Sequence, residues 1–416
     1  MKIAIVMPTR NRPRYALAAI ESLLSQTGCA FEVIVSDNSS SEADVRTVAE
    51  FCRAANDPRL IYIRPPEELD MAAHWDWALE QALVCSDATH FTIHYDRKIW
   101  KPKSLRLLAA TGERYPERIV TYAADTAFPA PPFFVAGQFP VSGKLYEIRS
   151  AQVVRLSSRA MIREMTYAFP LLSNCITPRA VIERVRDRFG SICRSATPDA
   201  AFTYRFCAIE ERFLHLDHSL VMMYGFEHSN ALGYFRVDAG GSFGDFMKLW
   251  GSRPWLDAAP IPGLGLGHNV LFHEYGLVQR IVGDGLFPPI DRNAYLRELA
   301  SGLAFIPDPS VKAEMRRVIE EHGWRGEEPS AYVPRPRPLY RRLLGKAARL
   351  VGLSPRPRQA VALLLADRFG ICPPDLDGYV FPTEEMTMRY LLQCPRRLRH
   401  NELLDPMQPT EVPFAP

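Results

Sequence analysis

The sequence predicts an α/β protein: a mostly parallel sheet flanked by helices, followed by a helical C-terminal extension. Three observations carry this. Four apolar runs, Lys2–Met7, Phe31–Ser36, Leu60–Ile63 and His90–His94, alternate with helical patterns through residue 125, the order that winds parallel strands into one sheet. Each run ends in a polar cluster: Pro8–Pro13, Asp37–Ser39, Asp70–Trp77 and Tyr95–Arg97. Beyond about residue 240, Gly-rich punctuation gives way to helical patterns with no obvious sheet. Ligands of open α/β sheets sit outside the carboxyl ends of the strands. Four polar clusters on that edge therefore describe one crevice.

The elements follow in order. Pro13 suits the first turn of a helix over 13–26, with Asn11 or Arg12 at its cap and Leu17, Ile20, Leu23 and Leu24 as its buried stripe. Helices are expected over 44–55 and 71–85, and Pro102 opens a fourth. Arg118–Tyr122 reads as a strand. Residues 126–143, rich in Pro, Phe and Gly, read as a long loop. Its aromatics either line an acceptor site or pack on the surface. Helices resume at 178–189 and 199–207, before a strand over 213–223. Three parts result: residues 1–125 as the binding part, 126–240 as the second part of the same domain, and 241–416 as a mainly helical extension with a Pro/Arg-rich linker near 326–358.

Composition narrows the class. With 416 residues, 47% hydrophobic, the chain is ample for a large core. Its 50 basic against 47 acidic side chains make no case for nucleic acid as a partner. Eight cysteines, at 29, 52, 85, 175, 193, 207, 372 and 394, form no Cys-x-x-Cys pair. They read as reduced, mostly buried thiols of a cytoplasmic protein, with Cys85 and Cys207 in apolar surroundings, and argue against a zinc site. The N-terminus runs straight into a strand, so no signal peptide is expected. No apolar stretch approaches the roughly 18–20 residues that span a bilayer. Residues 335–358 carry eight basic side chains and no acidic one. Tyr340–Val351 within them would form a short basic amphipathic helix, which either touches the inner face of a membrane or docks on its own protein.

Three stretches carry a resemblance: Met7–Pro13 after the first strand, Val33–Ser39 after the second, and His74–Leu79 opening a helix. In this order and spacing, residues 1–235 resemble family 2 of the nucleotide-sugar-dependent glycosyltransferases, whose catalytic domain has the GT-A fold. The resemblance implies that Pro8, Thr9 and Arg12 lie along the nucleotide, where backbone N–H groups at a helix start favour an anionic diphosphate. It implies that Asp37 accepts hydrogen bonds from uracil or ribose, although Asp-Asn-Ser is also an ordinary turn. Asp70 and His74 would contact the nucleotide or simply cap their helix.

The fourth cluster departs from the family. Relatives commonly carry an Asp-x-Asp triplet there to hold Mg²⁺ or Mn²⁺ against the diphosphate, whereas this chain reads His94-Tyr-Asp-Arg-Lys98. Two readings stay open. Asp96 holds the metal with water and either His94 or His228, or Arg97 and Lys98 neutralise the diphosphate directly and no metal is needed. In an inverting transfer the acceptor hydroxyl gives its proton to a base. The resemblance points to Asp199, in Ser195-Ala-Thr-Pro-Asp199, which also reads as a plain helix start; Glu210 and Glu211 are the alternatives. Similar enzymes close a loop over the diphosphate, and Tyr224–Asn230 would be that loop, with His228, Ser229 and Asn230 facing in.

The implied function is sugar transfer from a nucleotide diphosphate donor, a UDP-sugar first, to a saccharide or lipid-linked acceptor in a surface polysaccharide pathway. Two rivals remain. A nucleotidyltransferase would need a Gly-rich first loop, and Met7–Pro13 contains no Gly. A non-catalytic binder on a decayed transferase fold is favoured by the broken triplet and opposed by Asp37, Asp96 and Asp199 standing together.

Overall fold

The computed structural model describes residues 1–130, 133–137, 143–161, 169–230, 233, 241–326, 380–381, 383–393 and 410–411. The chain opens with β1 (Lys2–Thr9), α1 (Pro13–Leu24), β2 (Ala30–Asp37), α2 (Glu42–Ala55), β3 (Leu60–Ile63), α3 (Met71–Cys85) and β4 (His90–Ile93). These strands pair in parallel in the order β4-β1-β2-β3. β1, β2 and β4 are buried on both faces, and the edge strand β3 only partly, which is why the sequence shows continuous apolar runs instead of alternation.

Register sets the edge. Thr9 pairs with Asp37, so β1 and β2 end level. Ile93 pairs with Val6, so β4 stops three residues lower. Residues 94–96 therefore climb beside Met7–Thr9, starting from the His94 N–H donated to the Val6 carbonyl at 2.8 Å. This stagger lifts Asp96 to the level of Thr9.

The second half comprises β5 (Lys98–Trp100), α4 (Ser104–Arg114), β6 (Val120–Ala130), β7 (Phe133–Gly137), β8 (Leu145–Arg149), α5 (Ser150–Ser158), β9 (Cys175–Pro178), α6 (Arg179–Phe189), α7 (Pro198–Cys207) and β10 (Arg212–Met223). Here the sheet is mixed. β9 runs antiparallel between β4 and β6 and joins the halves. β10 is parallel to β6 and antiparallel to β8 and β5. The expected loop over 126–143 is instead a hairpin in its first part, with Thr126–Ala130 paired to Phe133–Gly137. Aromatic and β-branched residues favour strand pairing, and this outweighs the Pro content read from the sequence.

The extension supplies α8 (Gly241–Trp250), α9 (Asn269–Val282), α10 (Arg292–Gly302), α11 (Pro309–Glu321) and α12 (Glu384–Gln393). It is not a separate body packed loosely on the sheet. Tyr275 of α9 and Phe287 meet Tyr204 of α7 in edge-to-face contacts at 5.4 and 6.2 Å. One buried cluster runs from Ala4 to Ile319. The basic stretch 335–358, the linker that contains it, Cys372 and Cys394 lie outside the described residues. Among the described residues no helix is long and apolar enough to cross a membrane. The six described cysteines are free thiols. Cys85 corrects its expected burial: it sits exposed in the last turn of α3 beside exposed Val84.

Phe272 of α9 is fully buried, its ring 4.9 Å from that of Tyr295. Phe272→Ala should destabilise the protein by about 3–5 kcal/mol. Urea unfolding followed by circular dichroism and by tryptophan fluorescence should show one shared transition moved to lower denaturant. Two separate transitions would mean that the extension folds by itself.

Candidate active site

The strand tips are stitched by short polar side chains. Asn11 adopts φ +53° just before α1, a conformation that Asn tolerates better than most residues. Its N–H donates to Ser39 Oγ at 2.8 Å, and its Oδ1 accepts from Ser40 N–H at 2.9 Å. Asn38 donates Nδ2–H to the Leu69 carbonyl at 2.7 Å and accepts the Leu69 N–H at 3.0 Å. Arg10 donates to the Asn38 carbonyl at 2.8 Å. The loops after β1, β2 and β3 thus form one ledge. Sequence reasoning missed Asn11 and Asn38; the polar runs containing them were the available signal.

Asp96 lies on this ledge, buried, beside the tip of β1. Thr9 Oγ1 donates to its Oδ2 at 2.9 Å, and Arg12 Nη1 reaches its Oδ1 at 3.3 Å. Arg97 Nε stands 4.0 Å from the same oxygen. The Arg97 guanidinium is almost closed off, donating to the Tyr224 and Gly225 carbonyls at 3.4 and 3.2 Å. Burial, then the neighbouring Arg12, hold its pKa down, while Asp96 pulls it up. Gly225 has φ +63°, and a Cβ there would come 2.7 Å from the Tyr15 ring, so glycine is required for this approach. Thr9, Arg12, Asp96 and Arg97 are therefore brought together as expected, and Pro8 sits next to them in β1.

Other expected contacts belong to the scaffold. Asp37 is fully buried; its Oδ1 accepts the Ser39 N–H at 2.9 Å and its Oδ2 the Tyr62 hydroxyl at 3.0 Å. It shapes the turn and presents no open face. Asp70 is the cap of α3, accepting from Ala72 and Ala73 N–H at 2.9 and 3.1 Å, and it pairs with Arg253 at 3.0 Å. His74 is buried under the ledge and shares a 2.9 Å hydrogen bond with Ser36 Oγ. Burial, then the charge of Arg10, push its pKa down to about 3, so it stays neutral. All three engage local partners, Asp70 as the helix cap and Asp37 as the turn former that the sequence offered as alternatives, while His74 lies under the ledge and caps nothing.

The metal reading can be tested against the donor set. His94 is buried with Nε2 2.9 Å from the Lys98 carbonyl oxygen. His228 packs edge-on against Tyr15 at 5.4 Å and lies 3.7 Å from Glu227. Asp96 is already engaged by Thr9 and Arg12. Among the described residues no three His, Cys, Asp or Glu side chains converge as metal ligands. The residues present do not fit a divalent cation held by Asp96 and His228.

Asp199 stands in the first turn of α7, half-buried. The Ser173 N–H donates to its Oδ1 at 3.2 Å, while the Ser173 carbonyl accepts from the Lys98 ammonium. One residue thus links acid and amine. Burial raises the Asp199 pKa to about 6, against the opposing pull of Lys98 and Ser173. Burial likewise lowers Lys98 to about 7. The Lys98 ammonium sits 4.2 Å over the Tyr95 ring, and the Arg97 guanidinium 5.4 Å from it. Tyr95 feels the charges of both Asp96 and Asp199, so the ledge and the Asp199 site flank one ring. Glu210 pairs with Arg184, and Glu211 sits exposed at 3.3 Å from Arg212; neither alternative base approaches this arrangement.

The loop before Asp199 is pinned from two sides. Asp76 of α3 accepts the Ile192 and Cys193 N–H groups at 2.8 Å each. Glu274 of α9, fully buried, accepts the Thr197 N–H at 2.8 Å. Burial raises the Glu274 pKa to about 7.

Residues 4–85 match the family model described as Glycosyl transferase family 2. A curated relative, the putative colanic acid biosynthesis glycosyl transferase WcaA of Escherichia coli (strain K12), is 28% identical over 144 residues, 35% of this chain and 45% of that protein. The chain thus spans less than half the length of this relative. Solved structures that align with it include S. aureus TarS, at 13% identity and TM-score 0.42 over 77% of this chain and 54% of that one. The structure of S. aureus TarS 1-349 in complex with UDP-GlcNAc aligns at 14% identity and TM-score 0.43 over 77% and 89%.

The raised Glu274 pKa has a stability consequence. An acid whose folded pKa lies above its unfolded value takes up protons on folding, so stability falls as pH rises between the two values, here from the ordinary 4.5 to about 7. Glu274→Gln keeps an acceptor for Thr197 without the charge. Urea midpoints measured across this window should show the variant gaining on the parent as pH rises; a constant difference would contradict the buried acid.

Proposed function

We propose that the chain is an inverting glycosyltransferase that moves a sugar from a nucleoside diphosphate donor to an acceptor hydroxyl. The observation that carries this is a basic strand-tip ledge and a half-buried carboxylate of pKa about 6 that both act on the Tyr95 ring. The family match and the name of the WcaA relative support the donor class. In this reading the donor diphosphate docks on the ledge at Thr9, Arg12 and Arg97, with the sugar toward Asp199. The acceptor oxygen bonds to the anomeric carbon and its proton passes to Asp199. The bond from that carbon to the diphosphate oxygen breaks, and its electron pair leaves with the diphosphate. A base with pKa just below the working pH is mostly deprotonated yet still basic enough to draw the proton.

The acceptor we propose is a saccharide or lipid-linked saccharide of a surface polysaccharide, supported by the colanic acid wording attached to WcaA. The site of action we propose is the cytoplasm or the inner face of the membrane. UDP-sugars are the donors to test first. The rival reading, a non-catalytic nucleotide-sugar binder, draws on the internal engagement of Asp37 and Asp96.

Release of nucleoside diphosphate from UDP-, GDP- and dTDP-sugars decides between them. Asp199→Asn should lower turnover by about 10²–10⁴-fold with little change in donor affinity. In the parent, kcat/KM should fall as pH drops through about 6, as Asp199 takes up its proton. Binding of a donor without turnover under any condition would favour the binder, and an Asn variant as fast as the parent would remove Asp199 from the mechanism.

A further inference from the structure

We propose that this chain receives the donor diphosphate on the paired guanidiniums of Arg12 and Arg97, without a divalent cation. The inference rests on the donor reading above and specifies how the ledge recognises its ligand.

Three features of the ledge lead to it. First, the carboxylate that would hold a metal is already in use. Asp96 receives the Thr9 hydroxyl at 2.9 Å and the Arg12 guanidinium at 3.3 Å, with Arg97 4.0 Å away. A Mg²⁺ ion needs oxygen ligands at about 2.0–2.1 Å in near-octahedral array. Reaching Asp96 would require displacing Arg12 and placing two further positive charges beside two guanidiniums. Second, among the described residues no other acid joins Asp96 in a set of metal ligands. His94 points to the Lys98 carbonyl, His228 packs on Tyr15, and Glu227 takes the Tyr15 hydroxyl at 3.1 Å.

Third, two guanidiniums face the one carboxylate of Asp96, while Glu384, which accepts the Gly225 N–H, offsets part of the Arg97 charge. Arg97 is largely buried and held by the Tyr224 and Gly225 carbonyls, so its position is fixed before any ligand arrives. Arg12 is partly exposed at the start of α1, where the free N–H groups of a helix N-terminus also favour negative charge. Guanidinium geometry matches phosphate oxygens two at a time. Asp96 acts here as a positioning residue: it holds the two cations together against their mutual repulsion, and it touches no ligand itself.

The experiment is calorimetric titration of UDP, with GDP and dTDP in parallel, into the full chain in EDTA and again in Mn²⁺. UDP affinity should agree between the two conditions within about threefold. Arg12→Ala should weaken UDP by about 10–100-fold, the loss of one charge-assisted contact, and weaken UMP, which lacks the second phosphate, by less. Asp96→Asn, which loosens the arginine pair, should weaken UDP to the same degree in EDTA and in Mn²⁺, as expected of a residue that positions cations and holds no metal. Circular dichroism melts of each variant verify folding, and Arg97→Lys, which keeps a cation in that buried place, backs up Arg12→Ala. Binding in Mn²⁺ that vanishes in EDTA, or an Asp96→Asn loss seen in Mn²⁺ but not in EDTA, overturns the arginine site while leaving the donor reading intact. Absence of binding by every nucleotide in both conditions overturns the donor reading, and this inference with it.

Discussion

The architecture of the site depends on one buried carboxylate and the groups that neutralise it. Asp96 leaves water only because Thr9 and Arg12 meet it and Arg97 stands close by. A buried acid stripped of such partners costs several kcal/mol. The contact ties the end of β1 to the β4–β5 turn. It is available only because β4 stops opposite Val6 and the next residues climb the edge. Sheet register therefore sets where charge accumulates. The same turn then delivers Arg97 to the Tyr224–Gly225 carbonyls and Lys98 into β5 beside β10.

Two electrostatic environments lie on either side of Tyr95. On the ledge, two guanidiniums face the one carboxylate of Asp96 and the groups are tied to backbone. At the head of α7, desolvation dominates, and it drives Asp199 and Lys98 toward each other's range, to about 6 and about 7. Ser173 couples the two by offering its carbonyl to one and its N–H to the other. The ledge is built from the loops after β1, β2 and β3 and the β4–β5 turn, tied together by side-chain and backbone hydrogen bonds.

Much of the sheet was legible because buried parallel strands print themselves as apolar runs, and α3 showed its boundaries through Asp70 and the residues after it. Asp96 and Asp199 were legible through resemblance. For Asp70 and Asp37 the sequence offered a cap and a turn beside a ligand contact, and the structure shows the cap and the turn; the Ser36 partner of His74 lies 38 positions away and leaves no mark in the sequence. β9 carries too few residues to show any period, although it joins the halves of the sheet. The hairpin of β6 and β7 was masked by proline. Glu274 was beyond reach: its partner Thr197 lies 77 positions away, and a lone glutamate in a helical pattern gives no hint of burial.

That glutamate changes how the chain can be taken apart. A shift in composition near residue 240 invites a cut there, as if a catalytic module ended and an accessory one began. Such a cut would strip the aromatic partners from Tyr204 and leave the Thr197 amide without its acceptor. The excised fragment would present an oily helix face to water, with its proton acceptor on a slack tether. Chimeras made by exchanging acceptor modules should therefore carry α9 along with α7, because these two helices are inherited as a single working part.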